Sequence, residues 1–386
     1  MNIKKRSLSI LIIAAVLCGA LGCYLVMQLL LMQGVGEVKI TQTEYQRLTY
    51  MDKKYSKAEE LMEGASKKFY KDISEEELLN GLYKGIFLGL DDVYSSYMTK
   101  EEYESWMATT LGEFEGIGVT FNQDNDGNFV LLSTSPGSPA EKGGLKAGDI
   151  ITMVDDKTYD NADTIGAAMR GEAGTEVKIT YLRDGKENSV NLTRATIVTQ
   201  SVTSEMLEGN IGYIKITGFE EATAKDFKKA LADLEVKTPK GLIIDIRDNG
   251  GGLVTSGTQI ADLLVGKGTI TYLQDRDGKK EYIDSDEKRT NIPYVVLINE
   301  NSASTSEILA AAVKDNGPGK LVGVKTYGKG VVQSTTKLED GSAYKLTIMQ
   351  YYSPKGDVIH GKGVTPDYEV KGEDAQLKKA IELLTK

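Results

Sequence analysis

From residue 197 onward, short apolar runs alternate with amphipathic stretches, and this alternation narrows the fold more than any other feature of the chain. GYIKITGF (212–219), GLIIDIR (241–247) and YVVLIN (294–299) are too short for independent helices. The last two are apolar almost throughout, the pattern of strands buried on both faces. Between them AKDFKKALADLEV (224–236) has the spacing of an amphipathic helix. SEILAAAV, LVGVKTYGKGVVQ and AYKLTIMQYY continue the series, which predicts an α/β core over 197–369. QLKKAIELLTK (376–386) predicts a closing amphipathic helix within 370–386.

The region before the core has a different texture. Residues 106–196 carry glycines between apolar residues, then turn signals such as NQDNDGN and VDDK, and predict a small β-rich domain. Residues 38–105 are rich in charge and read as helical, with Leu78, Leu79, Leu82, Ile86 and Leu88 near helical spacing behind an N-cap at Ser74. In 1–37, Lys4, Lys5 and Arg6 precede an uncharged stretch, 7–32. The expectation there is a single-pass helix anchoring the chain in the cell membrane, with the rest extracytoplasmic. A cleaved signal peptide and lipidation at Cys23 are the alternatives.

Composition matters here through what is missing. Both cysteines, Cys18 and Cys23, lie in the first segment, so the remainder has no disulfide, thiol nucleophile or thiolate metal site. His360 is the single histidine, which excludes a His-rich zinc site. The net charge of −10, with no basic stripe, argues against nucleic acid as a partner.

NENSASTSEILAAAV (299–313) puts three serines ahead of an apolar helix. Ser304-x-x-Glu307 fits a capping box, yet a serine at a helix start also suits catalysis, because free N–H groups such as that of Thr305 can stabilise an oxyanion. A serine nucleophile needs a base. His360, in a turn-like stretch, is a poor candidate, which leaves a lysine neutralised by burial. Lys329 in TYGKGVVQ (326–333) lies between two glycines, with Gln333 on the same face of an extended chain. A surface lysine in a glycine turn is the plain alternative. DIRDNGGG (245–252) adds a glycine-rich turn after a buried strand, without a nucleotide-binding signature.

SASTSE, Lys329 and Gln333 in this order, together with DIRDNGGG and GKGVTPD (361–367), resemble the motifs of the C-terminal processing, or tail-specific, proteases. The similarity runs from about residue 45 to the end. The resemblance implies a multidomain α/β protein: a mixed α/β protease core of the crotonase-like, tail-specific type, an inserted β-rich PDZ domain at 106–196, and helical N- and C-terminal segments. It implies a serine endopeptidase with Ser304 as nucleophile, Lys329 as general base and Gln333 orienting that base. Backbone N–H groups of Thr305 and of Gly251, or else Gly252, would form the oxyanion site, with no metal or other cofactor. Gly250 departs from the family, where many members have proline. GIGV, Gly116, Ile117, Gly118 and Val119, matches the family's carboxylate-binding loop; Leu145 and Ile165 are expected in its pocket, and Arg170 matches an arginine that couples peptide binding to the protease site. Implied partners are protein substrates with free apolar C-termini and a second copy of the chain. The rival readings are a PDZ-bearing tether with an inactive core, against which the intact Ser304, Lys329 and Gln333 argue, and a hydrolase triad built on His360.

Overall fold

The computed structural model describes residues 3–32, 40–124, 127–286 and 288–385, with side chains of 3–12 and 30–32 excepted. The chain divides into two compact units, Met1–Leu82 and Tyr83–Lys386. The first is helical. Thr41 caps helix Gln42–Lys68 by accepting from the Glu44 N–H at 3.2 Å, while the Glu44 carboxylate accepts from the Thr41 N–H at 2.7 Å. Ser74 and Glu77 repeat the exchange ahead of helix Glu75–Leu88, which runs across the division.

The expected single-pass membrane anchor is corrected. Among the described residues no helix is long and apolar enough to cross a membrane, so the cell-membrane localisation is not supported. The basic cluster at 4–6 has no described side chains, and 33–37, expected to end the anchor, lies outside the described residues, as does Lys386.

The core of the second unit is a six-stranded sheet. In spatial order its strands are Val202–Leu207, Ile211–Ile216, Gly241–Asp245, Tyr294–Ile298, Lys320–Gly323 and Tyr368–Glu369, parallel except for the first. Period-2 alternation sends Leu242 and Ile244 to one face and Ile243 to the other. The first face is covered by helices Thr223–Glu235, Val254–Val265 and Thr305–Asn316, through Phe227, Leu234, Ile260, Leu264 and Ile308. The second is covered by helix Glu373–Thr385, through Leu377, Ala380, Ile381 and Leu384. Covering both faces explains why these strands are apolar throughout; each fully buried Leu or Ile contributes roughly 1.5–3 kcal/mol.

Beside it lies a five-stranded antiparallel sheet. Its long strand Ala343–Tyr352 pairs on one edge with Val331–Lys337 and on the other with Ser96–Met98 and Gly268–Asp275, the latter in turn pairing with Lys280–Ser285. Thr99 then caps helix Lys100–Leu111, which ends at the left-handed Gly112.

From Gly112 the chain enters the inserted domain. Strand Glu113–Gly116 pairs with the exit strand Ala195–Val198, so entry and exit form one ribbon. Inside, strands Val119–Gln123, Phe129–Thr134, Ile150–Val154, Glu176–Arg183 and Lys186–Thr193 make an antiparallel sheet, with helices Pro139–Lys142 and Ala162–Met169. Asn125 and Asp126, in the expected turn, lie outside the described residues.

Candidate active site

Three hydroxyls around Ser304 are committed to structure. The Ser302 hydroxyl donates to the Ile246 carbonyl, that of Ser306 to the Asn249 carbonyl and that of Thr305 to the Gly252 carbonyl, each at 2.8 Å. They staple the start of helix Thr305–Asn316 onto the DIRDNGGG turn, and all three residues are fully buried. Ser304 differs. It is half-buried, and its backbone sits at φ 57°, ψ −117°. A serine outside the usual φ/ψ regions costs about 1–3 kcal/mol and needs surroundings that hold it there.

Glu307 supplies that hold. Its carboxylate is fully buried and accepts four hydrogen bonds. One oxygen takes the Ser304 N–H at 2.9 Å and the Lys329 N–H at 2.8 Å. The other takes the Thr326 hydroxyl at 2.6 Å and the Gly328 N–H at 2.7 Å. The expected capping interaction is thus one of the four bonds this residue makes; the other three fasten the TYGKG loop to the serine. The Tyr351 hydroxyl, deeply buried on strand Ala343–Tyr352, bridges the Ser304 and Lys329 carbonyls from another side.

Ser304, Lys329 and Gln333 line one cleft of about 400 Å³, together with Trp106, Thr110, Gly250, Gly252, Leu253, Lys345 and Tyr351. The Lys329 ammonium lies 4.7 Å from the centre of the Tyr94 ring. Burial first, and then the Lys345 charge, push Lys329 below the ordinary lysine range, while Asp92 and Glu307 act in the opposite direction. No hydrogen bond joins Ser304 to Lys329, and the Gln333 amide donates to the Thr347 hydroxyl at 3.0 Å rather than meeting the amine. A bulge between Val332 and Gln333 interrupts the strict alternation expected of this strand.

The glycine turn approaches the serine closely. A Cβ on Gly251 would stand 2.8 Å from the Ser304 Cβ, and Gly251 holds φ 105°. Its N–H donates to the Asn249 side chain at 2.9 Å, whereas Gly250 and Gly252 face the cleft. Upstream, Asp245 and Arg247 are paired and buried, the Tyr213 hydroxyl donates to Asp245 at 2.6 Å, and Arg247 reaches the Glu373 carbonyl and Gln376 on the terminal helix. That pair clamps the strand end to the helix. His360 is exposed, accepts from the Gly330 N–H at 3.4 Å and does not line the cleft, so no serine–histidine pair forms.

A second concavity, about 330 Å³, lies in the inserted domain and gathers Gly116, Ile117, Gly118, Val119 and Arg170. Phe121, Gly166 and Met169 complete it, between edge strand Val119–Gln123 and helix Ala162–Met169. Gly118 sits at φ 77°, and a Cβ there would strike Ser138 at 2.4 Å. Leu145 and Ile165, expected in this pocket, are buried in the domain core instead. Local pattern does not single out Trp106, Lys345 and Tyr351, which tertiary pairing alone brings to the cleft, or Tyr94, which it brings to Lys329.

Comparison with known proteins agrees with this division. Residues 210–370 match peptidase family S41, 116–193 the PDZ domain, and 16–102 the activating protease CtpB N-terminal domain. The carboxy-terminal processing protease CtpA of Bacillus subtilis is 38% identical over 327 residues, covering 83% of this chain and 70% of that protein. The carboxy-terminal processing protease CtpB of the same organism is 34% identical over 381 residues, 96% of this chain and 79% of that protein. Among solved structures, the photosystem II D1 C-terminal processing protease superposes with a TM-score of 0.50 at 28% identity, over 84% of this chain and 90% of that one. With a PDZ domain set into a mixed α/β core, and relatives matched over most of their length, the chain belongs to the carboxy-terminal processing proteases, serine-type peptidases of family S41.

Proposed function

We propose that the chain cleaves protein substrates by a Ser/Lys dyad after its PDZ domain has captured an apolar carboxy-terminal tail. One observation carries the dyad: the buried Glu307 carboxylate bonds the backbone N–H of both Ser304 and Lys329, so nucleophile and amine are held to one anchor. Neutral Lys329 takes the Ser304 proton as the oxygen attacks the scissile carbonyl. It then gives that proton to the leaving amine and activates the water that releases the acyl group. The Thr305 N–H stabilises the oxyanion, joined by Gly251 once its N–H leaves Asn249, or by Gly252, which already faces the cleft. Gln333 orients the amine through its amide oxygen while its nitrogen is held by Thr347.

In the PDZ groove the N–H groups of 116–119 suit a terminal carboxylate, and edge strand Val119–Gln123 suits an added peptide strand. Phe121 and Met169 favour an apolar last residue, and Arg170 on the groove wall senses occupancy. Exposed Tyr45, Leu48, Tyr50, Tyr55 and Leu61 on helix Gln42–Lys68 suit contact with a second copy.

The test is cleavage of a tailed protein by the full chain. Ser304→Ala and Lys329→Ala each lose at least about a thousandfold in kcat/KM, while His360→Ala keeps wild-type activity. Activity surviving Lys329→Ala sinks the dyad.

A further inference from the structure

The cleft that holds Ser304 and Lys329 holds a second lysine. Lys345 stands on strand Ala343–Tyr352, in register with Thr335 on one neighbouring strand and Ser96 on the other, and lines the same cavity as Ser304, Lys329 and Gln333. Its ammonium lies 5.8 Å from the Trp106 ring centre, within cation–π reach, and has no carboxylate partner among the described residues. Two amines in one partly desolvated cleft repel when both are charged, and the repulsion is relieved when one is neutral.

The surroundings decide which one yields. Lys329 is faced by Lys345 from its strand, by Asp92 and Tyr94 from the segment before Ser96–Met98, and by Glu307 from the serine helix. The two carboxylates that favour a charged Lys329 are already engaged. Glu307 accepts four donors, and Asp92 accepts from the Tyr94 N–H at 3.2 Å and the Ser95 hydroxyl at 2.5 Å. Lys345, by contrast, has no carboxylate partner among the described residues and only an aromatic face against it.

Resting on the Ser304/Lys329 reading, we propose that Lys345 is a positioning residue of the catalytic centre: its positive charge, steadied by Trp106, disfavours a second ammonium at Lys329 and keeps that amine free to accept the Ser304 proton. It acts through Lys329 and need not touch substrate.

The experiment uses the full chain and three substitutions. Lys345→Met and Lys345→Gln remove the charge, the second guarding against disturbance of the strand by the first; Lys345→Arg retains it. The titration of Lys329 is read directly, by acetylation with limiting acetic anhydride across pH and mass spectrometry of the Lys329 peptide, alongside kcat/KM on a tailed substrate. In the uncharged variants the Lys329 titration and the acidic limb of kcat/KM move up together by about one pH unit. Activity near neutrality then falls about tenfold and recovers at higher pH. Lys345→Arg stays within about twofold of wild type. An unchanged Lys329 labelling curve in both uncharged variants overturns the proposal, whatever their activity. A wild-type kcat/KM profile that does not track Lys329 labelling overturns the base assignment on which it stands, so the two failures are told apart.

Discussion

Each oxygen of the Glu307 carboxylate accepts two hydrogen bonds in a place water does not reach. Glu307→Gln replaces one acceptor by an amide NH2, leaving two donors facing a donor. The expected cost is about 3 kcal/mol in chemical denaturation, with kcat falling more than tenfold and KM little changed; a wild-type kcat would show the anchor to be idle. Lys329 gives a pH signature. Because burial lowers it below 10.5, the unfolded chain binds more protons between the folded value and 10.5, and stability rises with pH through that window. Lys329→Met should therefore melt above wild type at neutral pH, with the gap closing as pH climbs toward 10.5, while activity is lost. Ser304-x-x-Glu307 was legible as a cap because a cap is local. That the same carboxylate grips 326–329 was not, since no spacing encodes a contact between separate segments.

At the level of elements, two adjacent glycines in DIRDNGGG make opposite demands. Gly250 has no positive φ, and a Cβ there meets nothing within 4 Å, so Gly250→Ala should stabilise by about 0.4–1 kcal/mol through the unfolded chain and preserve activity. Gly251→Ala drives a methyl into Ser304 at φ 105°, and should cost about 1–3 kcal/mol and most of the activity. Thermal melts and cleavage rates of the pair check both. The parallel strands were readable because burial on both faces forces an apolar run, as in GLIID and YVVLI. Strand Ser96–Met98 was not: three residues have no period, and its partner, 343–345, lies far along the chain. The bulge at Val332/Gln333 escaped for a related reason, because one extra residue leaves no compositional mark.

On the scale of the whole molecule, the order of domains followed from texture, glycine-rich against α/β, whereas the apolar first segment suggested a membrane span that the described helix does not support. Arg170 belongs at this scale, since it lines the concavity of the inserted domain and its effect on the protease is a proposal. Arg170→Ala should leave cleavage of a short untailed peptide unchanged and reduce cleavage of a tailed protein about tenfold or more; equal rates on both substrates relative to wild type would remove it from the coupling. The route for such coupling is set by how the domain is joined. A domain hung on two separate strings can tumble about many axes. Here Glu113–Gly116 is laddered to Ala195–Val198, and the Thr199 N–H adds a rung to the Gly112 carbonyl at 2.7 Å. The joint therefore has few degrees of freedom and bends as a strap hinge does. On the proposed reading, a tail seated at Gly116 would load the hinge at its edge, and the first rigid body beyond Gly112 is the helix that carries Trp106 into the cleft.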